Sequence, residues 1–517
     1  MAALKYGIAG LLLQAALGRA ATCPPAVQID KQPQVFIMSD ISNEPDDAMS
    51  FIRLLLHADQ YNITGMVAVT SYWLNSSVVP EQIRNTTDAY GLVVDTLNKH
   101  TSGIFPTAEY LSSIIKSGQP VYGTAAIGKS PVSSGASHLI DVVDGLVDDD
   151  LLHVQAWGGV NTLGEALFHV RATRVPYELD RFVSKLRVYT ISDQDNVGPW
   201  IRLKFPTIPY IVSLHGFNLY NHATWIGMSG DAYYNNDVGG PDPSLVNQAY
   251  ASKHFQIGPL GSHYPDIAYT MEGDSPSLMH TMQNGLNGGP FDHPEWGGWG
   301  GRYTLLDLTR QTMVFTDAVD AVTGIDNRTH TTNQATIWRW RQAYQDEMSA
   351  RVQWSIQSNY SGGSHPPVVS VNGCCGSAPY IMEVDPEQII ILDGSETYDP
   401  DANLTDRNAL KYTWFQYSEI SATQSNILSE VPQLNFTLSS NGSVASLQLP
   451  AAELACKAPE ALQNAGAGIQ EECQKYHVIF EVMGSGTPPI RRYKRVVLEV
   501  QPPRTSTSSS KRGRDEL

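Results

Sequence analysis

Residues 35–71 read VFIMSDISNEPDDAMSFIRLLLHADQYNITGMVAVTS, and their order of apolar run, acidic loop, helical pattern and second apolar run decides the fold. VFIM is a short continuous apolar run, the pattern of a strand buried on both faces. In AMSFIRLLLHA the residues Phe51, Ile52, Leu55 and Leu56 recur at helical spacing on one face. ITGMVAVTS reads as the next strand. The loop between them holds four carboxylates, Asp40, Glu44, Asp46 and Asp47, within eight residues. Like charges so close oppose one another's ionisation unless a cation or a hydroxylated ligand sits among them. Asp46 and Asp47 stand where a helix begins and its free N–H groups favour negative charge. Capping accounts for that pair and leaves Asp40 and Glu44 unexplained.

The alternation continues from about residue 35 to residue 355. Helical EQIRNTTDAYGLVVDTL is followed by a predicted strand PVYGTA, then helix ASHLIDVVDGL, strand LLHVQAW, helix NTLGEALFHV and strand LRVYTIS. This predicts an α/β domain with a mostly parallel open sheet flanked by helices. Ligands of such sheets bind beyond the carboxyl ends of the strands, where residues 40–47 fall. Residues 356–365 read as a linker, and from 366 to 502 short strands and turns predict an immunoglobulin-like all-β sandwich with Trp414 in its core. Its LDGSETYDPD turn region looks like that of polycystic-kidney-disease-type domains, with Asp399 and Asp401 as turn-formers. Residues 503–517 are a polar tail ending in RDEL.

The chain has 517 residues, 42% hydrophobic and 17% charged, as in a globular protein. A net charge of -18 with no basic stripe argues against a nucleic-acid partner. Residues 1–20 have the pattern of a signal peptide, and no later run is long enough to span a bilayer. Eight N-x-S/T sequons fit a glycoprotein of the secretory route. Secretion is the expectation, with endoplasmic-reticulum retention through RDEL as the alternative. In an oxidising compartment Cys456 is expected to bridge Cys473, and Cys23 to pair with Cys374 or Cys375. The sequence leaves the oligomeric state open.

A hard cation suits the acidic loop, because calcium takes six to eight oxygen ligands in irregular geometry and no cysteine or suitable histidine lies nearby. Residues 36–75 resemble the opening of the nucleoside hydrolases, with a strand, a D-x-D-x-x-x-D-D loop, a helix, a second strand and a substrate-binding Asn. The resemblance implies Asp47 as a calcium ligand, Asp46 as a partner for sugar hydroxyls and Asn75 as the substrate Asn. VQAWGGVNTLGEAL is similar to the family stretch that supplies a metal-binding carbonyl, implying the Trp157 backbone carbonyl. EGDSPSLMH resembles the late His-Asp pair, implying Asp274, with Gly273 in place of His. The second Asp of the opening motif, ligand and general base in the family, is Ser42 here. Serine is a weak ligand and no base at neutral pH, so Asp40 or Glu44 is expected to take that role.

Most of residues 35–500 also resemble the secreted nucleoside-hydrolase-like proteins described as cellulose-binding, which pair this domain with a β-sandwich. Matching stretches are YTISDQDNVGPWIR, YPDIAYTMEGDSPS, HPEWGGWGGRY and IWRWRQAYQDEMSARVQW. In GPFDHPEWGGWGGRY the residues Trp296, Trp299 and Tyr303 could form a sugar platform, with Glu295 or Asp292 as acid or hydroxyl partner. Asp193 and Asp195 lie at another strand end, and Asn221 and His222 are further ligand candidates, His222 as a proton donor to a leaving group. IWRWRQAY reads as an amphipathic helix with tryptophans inward and arginines solvated. The expected activity is calcium-dependent hydrolysis of a glycosidic bond in a nucleoside or carbohydrate, water attacking an oxocarbenium-like carbon. The alternative is a non-catalytic binder of cellulose or a related polysaccharide.

Overall fold

The computed structural model describes residues 32–101, 104–216, 219–286, 293–307, 309–402, 410–421, 431–456 and 473–502. The segment expected to be a signal peptide, Cys23, Asp292 and residues 503–517 lie outside them.

Eight strands form the central sheet: β1 (Gln34–Ser39), β2 (Asn62–Ala68), β3 (Ile115–Ser117), β4 (Leu152–Ala156), β5 (Leu186–Ser192), β6 (Tyr210–Ser213), β7 (Tyr303–Leu305) and β8 (Val314–Asp317). They lie in the order β3-β2-β1-β4-β5-β6-β8-β7. All pairs are parallel except β7 with β8. The apolar run of β1 is needed because both of its faces are covered. Val35 and Ile37 enter one core and Phe36 and Met38 the other. Helices α1 (Asp46–Leu56), α2 (Pro80–Gly91), α3 (Ser134–Gly145) and α4 (Asn161–Thr173) fall where the periodicity predicts, and α5 (Val197–Lys204) follows β5. PVYGTA is the exception. Its last three residues open a single turn, Gly123–Ala126, and the strand is Ile115–Ser117. Gly123 takes φ +54 against the Asn196 side chain, a geometry foreign to a strand.

The C-terminal strands are β9 (Tyr380–Val384), β10 (Ile389–Asp393), β11 (Lys411–Gln416), β12 (Thr437–Leu438), β13 (Val444–Gln448), β14 (Lys475–Met483) and β15 (Arg491–Val500). They make a four-stranded sheet, β9-β15-β14-β11, and a three-stranded sheet, β10-β13-β12. Trp414 lies in the core beneath them, its ring stacked 4.1 Å from that of Phe480. Cys456 bridges Cys473, Cys375 is disulfide-bonded and Cys374 carries a free thiol.

The sandwich is seated on the α/β layer. Tyr417, Ile479, Ile490 and Tyr493 belong to the same apolar core as α1 and α7 (Arg341–Trp354). Around that contact, Arg492 bonds Glu347 at 2.6 Å, and Arg491 bonds Asp346 at 2.7 Å. The arginines of IWRWRQAY are not solvated as expected. Arg339 pairs with Asp320 at 2.7 Å, and Arg341 is 2% exposed and donates to the Gly227 carbonyl. Buried Asp320, shared by Arg302, Arg339 and the Tyr417 hydroxyl, draws Arg339 inward, while backbone carbonyls hold Arg341.

Candidate functional site

The acidic loop leaves β1 at its carboxyl end, so Asp40 follows the last strand residue and Asp46 and Asp47 open α1. Asp274 sits at the amino end of α6 (Ser275–His280). The fold brings these segments together, and carboxylate oxygens of Asp46, Asp47 and Asp274 all lie within 4.8 Å of one another. A buried ion pair holds the two helices in place. Arg53 of α1 bonds the Glu272 carboxylate two residues before Asp274, and also the Tyr344 carbonyl and Gln345 of α7. Glu272 further accepts from Tyr264 and Ser275, and both ends of the pair are fully buried.

Burial dominates the electrostatics. It pushes Asp40 up to about 7, with Glu44 adding repulsion and a Ser71 hydrogen bond opposing it. Asp46 rises to about 7 through burial and the charges of Glu44 and Asp40. Asp47 and Asp274 are pushed well above the carboxylate range by burial and then by their acidic neighbours. Glu44 is raised by burial as well. Asp40 and Asp274 each keep one buried oxygen, Oδ2, without a hydrogen-bond partner. Orphaned oxygens in a crowd of desolvated carboxylates are the donor set a hard divalent cation satisfies. Asp46, Asp47 and Asp274 could hold it directly.

The other predicted residues divide into those at the cluster and those elsewhere. Glu44 is half-buried and close enough to raise Asp40 and Asp46. Ser42 is exposed with φ 97, and its hydroxyl accepts from Gln82 of α2 at 3.4 Å, so it is turned to the rim. The Trp157 carbonyl accepts a hydrogen bond from the Gln194 side chain. Its neighbour Gly158 packs on Asp40, where an added Cβ would lie 2.8 Å from Asp40 atoms. Asn75 is exposed in the turn after β2 and reaches the Tyr72 carbonyl at 3.5 Å. At Gly273 a Cβ would meet Asp46 at 2.7 Å and the Trp225 ring at 2.9 Å, so Trp225 occupies the space that a larger residue would need.

Asp193 and Asp195 serve the scaffold instead of a ligand. Asp193 is locked to Arg202 by two bonds of 2.8 and 2.7 Å. Asp195 accepts from the backbone N–H groups of Val160 and Val197, fastening the starts of α4 and α5. Asn221 and His222 form a single turn whose backbone carbonyls accept from Gln334 and Asn333. The expected Trp296–Trp299 platform is not formed. Trp299 is 1% exposed and packs edge-on to Tyr344 and Tyr493. Trp296 stacks on His293 beneath the Arg495 guanidinium, and Glu295 bonds His293 at 2.7 Å. The glycines let this loop fold down into the joint with the sandwich.

The aromatic surface lies instead beside the carboxylates. From Trp225 next to Asp46, ring contacts run to Tyr220, Trp73, Tyr72 and Tyr122. Tyr72 is 46% and Trp73 41% exposed, and Trp73 donates to the Tyr220 hydroxyl at 3.2 Å. The signal was present in the sequence as YWLN, directly after a predicted strand.

Residues 34–303 match the family described as "Cellulose-binding Sde182, nucleoside hydrolase-like domain", and residues 389–500 match "Cellulose-binding protein Sde0182, C-terminal domain". Among solved structures, a nucleoside hydrolase-related hypothetical protein from Saccharophagus degradans, associated with carbohydrate metabolism, is 29% identical with a TM-score of 0.70. The match covers 91% of this chain and 100% of that one. The effector protein XOO4466 matches at 11% identity and TM-score 0.30 over 64% of this chain and 96% of its own, an overlap that carries no argument. No curated protein matches the chain. With more than half of its residues under one family and its sandwich under the companion C-terminal family, the chain belongs to the Sde182 nucleoside hydrolase-like, cellulose-binding family.

Proposed function

We propose that the protein is a calcium-dependent hydrolase of glycosidic bonds that acts on a carbohydrate. The observation that carries the reading is the convergence of five acids, Asp40, Glu44, Asp46, Asp47 and Asp274, at the carboxyl end of the sheet beside an exposed aromatic rim. Calcium held by Asp47, Asp274 and Asp46 would supply charge neutralisation and acidify a water. Glu44 and Asp40 are the groups placed to accept the proton of that water, since burial raises both toward neutral pH. Asp46 faces Glu44 and Asp40 and is placed to orient sugar hydroxyls. Tyr72, Trp73 and Tyr220 offer ring faces to sugar C–H surfaces. Cellulose-type chains are favoured over nucleosides because the family and the Saccharophagus relative are described by cellulose and carbohydrate.

A second reading, a non-catalytic polysaccharide binder, is favoured by one observation: Ser42, where the related hydrolases keep their base, is exposed and turned to Gln82. A sugar-release screen over ribonucleosides and cello-oligosaccharides, with and without calcium, separates the two. Hydrolysis predicts turnover that Asp47→Ala and chelator both abolish. Binding to insoluble cellulose without turnover from any substrate, unchanged by Asp47→Ala, would instead support the binder.

A further inference from the structure

Two histidines far apart in the chain meet where the sandwich joins the α/β layer. His100 follows the helical turn Val94–Leu97, and His365 ends the linker after α7. The two residues are 4% and 3% exposed. His100 Nδ1 lies 3.0 Å from His365 Nε2, and His100 Nε2 lies 2.7 Å from the Gln357 carbonyl. At the other end His365 Nδ1 lies 2.6 Å from Oδ1 of Asp401, in a turn of the sandwich. The second oxygen of Asp401 accepts from the His365 backbone N–H. The rings are layered, His100 on Trp354 and His365 on Tyr360, the latter pair parallel at 3.6 Å. One line of contacts thus ties the α/β layer, the linker and the sandwich.

Counting protons fixes the state of this line. A carbonyl oxygen only accepts, so His100 Nε2 carries a hydrogen; an ionised carboxylate only accepts, so His365 Nδ1 carries another. Neutral imidazoles then have none left, and the contact between the rings would set two lone pairs 3.0 Å apart. It becomes a hydrogen bond when one ring holds a second proton. His365 is that ring, because Asp401 and the face of Tyr360 both favour a cation there. Burial, joined by the charge of His365, lowers His100 and keeps it neutral. Tyr360 is pushed up to about 12 by burial and by Asp401 and Asp399, and Tyr398 is raised by burial. Asp399 accepts from the backbone and hydroxyl of Ser485, and Arg351, over the Trp354 ring, is paired with Asp59 and Glu347. Lys99 is exposed. The two imidazoles are therefore the groups here whose charge changes between about pH 5 and 8.

We propose that Asp401, His365 and His100 form a pH-sensitive clasp at the joint, closed by one proton at about pH 6 and opened by its loss toward about pH 8. Opening sets His100 against His365 and frees residues 357–365, while the Arg492–Glu347 pair and the shared core keep the two layers together. The clasp does not depend on the proposed hydrolytic activity.

Hydrogen–deuterium exchange of the full chain tests it, read by mass spectrometry on peptides covering residues 356–365 and referenced to the chemical exchange rate at each pH. Protection is expected to fall about tenfold or more from pH 6 to pH 8, since one proton shifts an equilibrium by up to about tenfold per unit. His100→Phe keeps a ring between Trp354 and His365, and Asp401→Asn keeps an acceptor for the His365 backbone; each should remove that dependence. Histidine-selective 15N spectra of the wild-type chain give a reading that needs no variant. At pH 6 they should show His365 protonated on both nitrogens and His100 on Nε2 alone, and at pH 8 both rings neutral. Equal protection of the wild type at both pH values, dependence that persists in both variants, or a neutral His365 ring at pH 6 would each overturn the proposal.

Discussion

Asp47 is a strained carboxylate, since burial and the charges of Asp40 and Asp46 all oppose its ionisation. Asp47→Asn removes one charge and keeps an acceptor for the Ser39 hydroxyl. The metal-free variant is therefore expected to melt higher than metal-free wild type at pH 8, as differential scanning calorimetry in chelator would read. Calcium at about a hundred times its dissociation constant adds about 2.7 kcal/mol to the wild-type chain and nothing to the variant. The two tryptophan groups should behave oppositely. Trp73→Ala weakens binding to cello-oligosaccharide by up to about tenfold and leaves the melting temperature unchanged. Trp299→Ala costs about 3–5 kcal/mol of stability without acting directly on ligand binding. At this scale the sequence was half legible. The acidic loop announced itself because its charges are contiguous, but exposure of a tryptophan depends on where a glycine-rich loop folds, and HPEWGGWGG carries no period that reveals it.

Between elements, the decisive contact is Arg53 with Glu272, which couples the helix bearing Asp46 and Asp47 to the turn bearing Asp274. Arg53→Met leaves Glu272 buried without its charge partner and is expected to cost about 3–5 kcal/mol and to weaken calcium binding. Denaturant melts and a calcium titration of the same variant check both effects. The pair was invisible in the sequence. Arg53 falls among the apolar residues of α1, and its partner lies far along the chain. Strand–helix alternation was legible because it is local, and the one misplaced strand, PVYGTA, came from reading short β-formers across a glycine that has to turn.

Across the whole molecule, α7 and β15 join the two layers through Glu347, Arg492 and Arg351. Burial alone would raise Glu347, but Arg492 and then Arg351 outweigh it and hold the carboxyl below its ordinary range. Such a group binds a proton more readily in the unfolded chain. Its contribution is present above the unfolded value of 4.5 and fades as pH falls below it, by up to about 1.4 kcal/mol per unit. Urea midpoints between pH 5 and pH 3 should fall more steeply for wild type than for Glu347→Gln. The change from strand–helix alternation to short strands and turns near residue 360 was legible in the sequence, whereas the shared core was not, because Tyr417 and Tyr493 sit at and in strands that look ordinary.

The central claim is that the acids gathered from residues 40–47 and 274 form one cation site. Calorimetric titration of calcium into the chelator-treated full chain at pH 7.5 tests it most directly. The account predicts one saturable site per chain that disappears in Asp47→Ala and in Asp274→Ala. Absence of binding, or equal affinity in those variants, would contradict it.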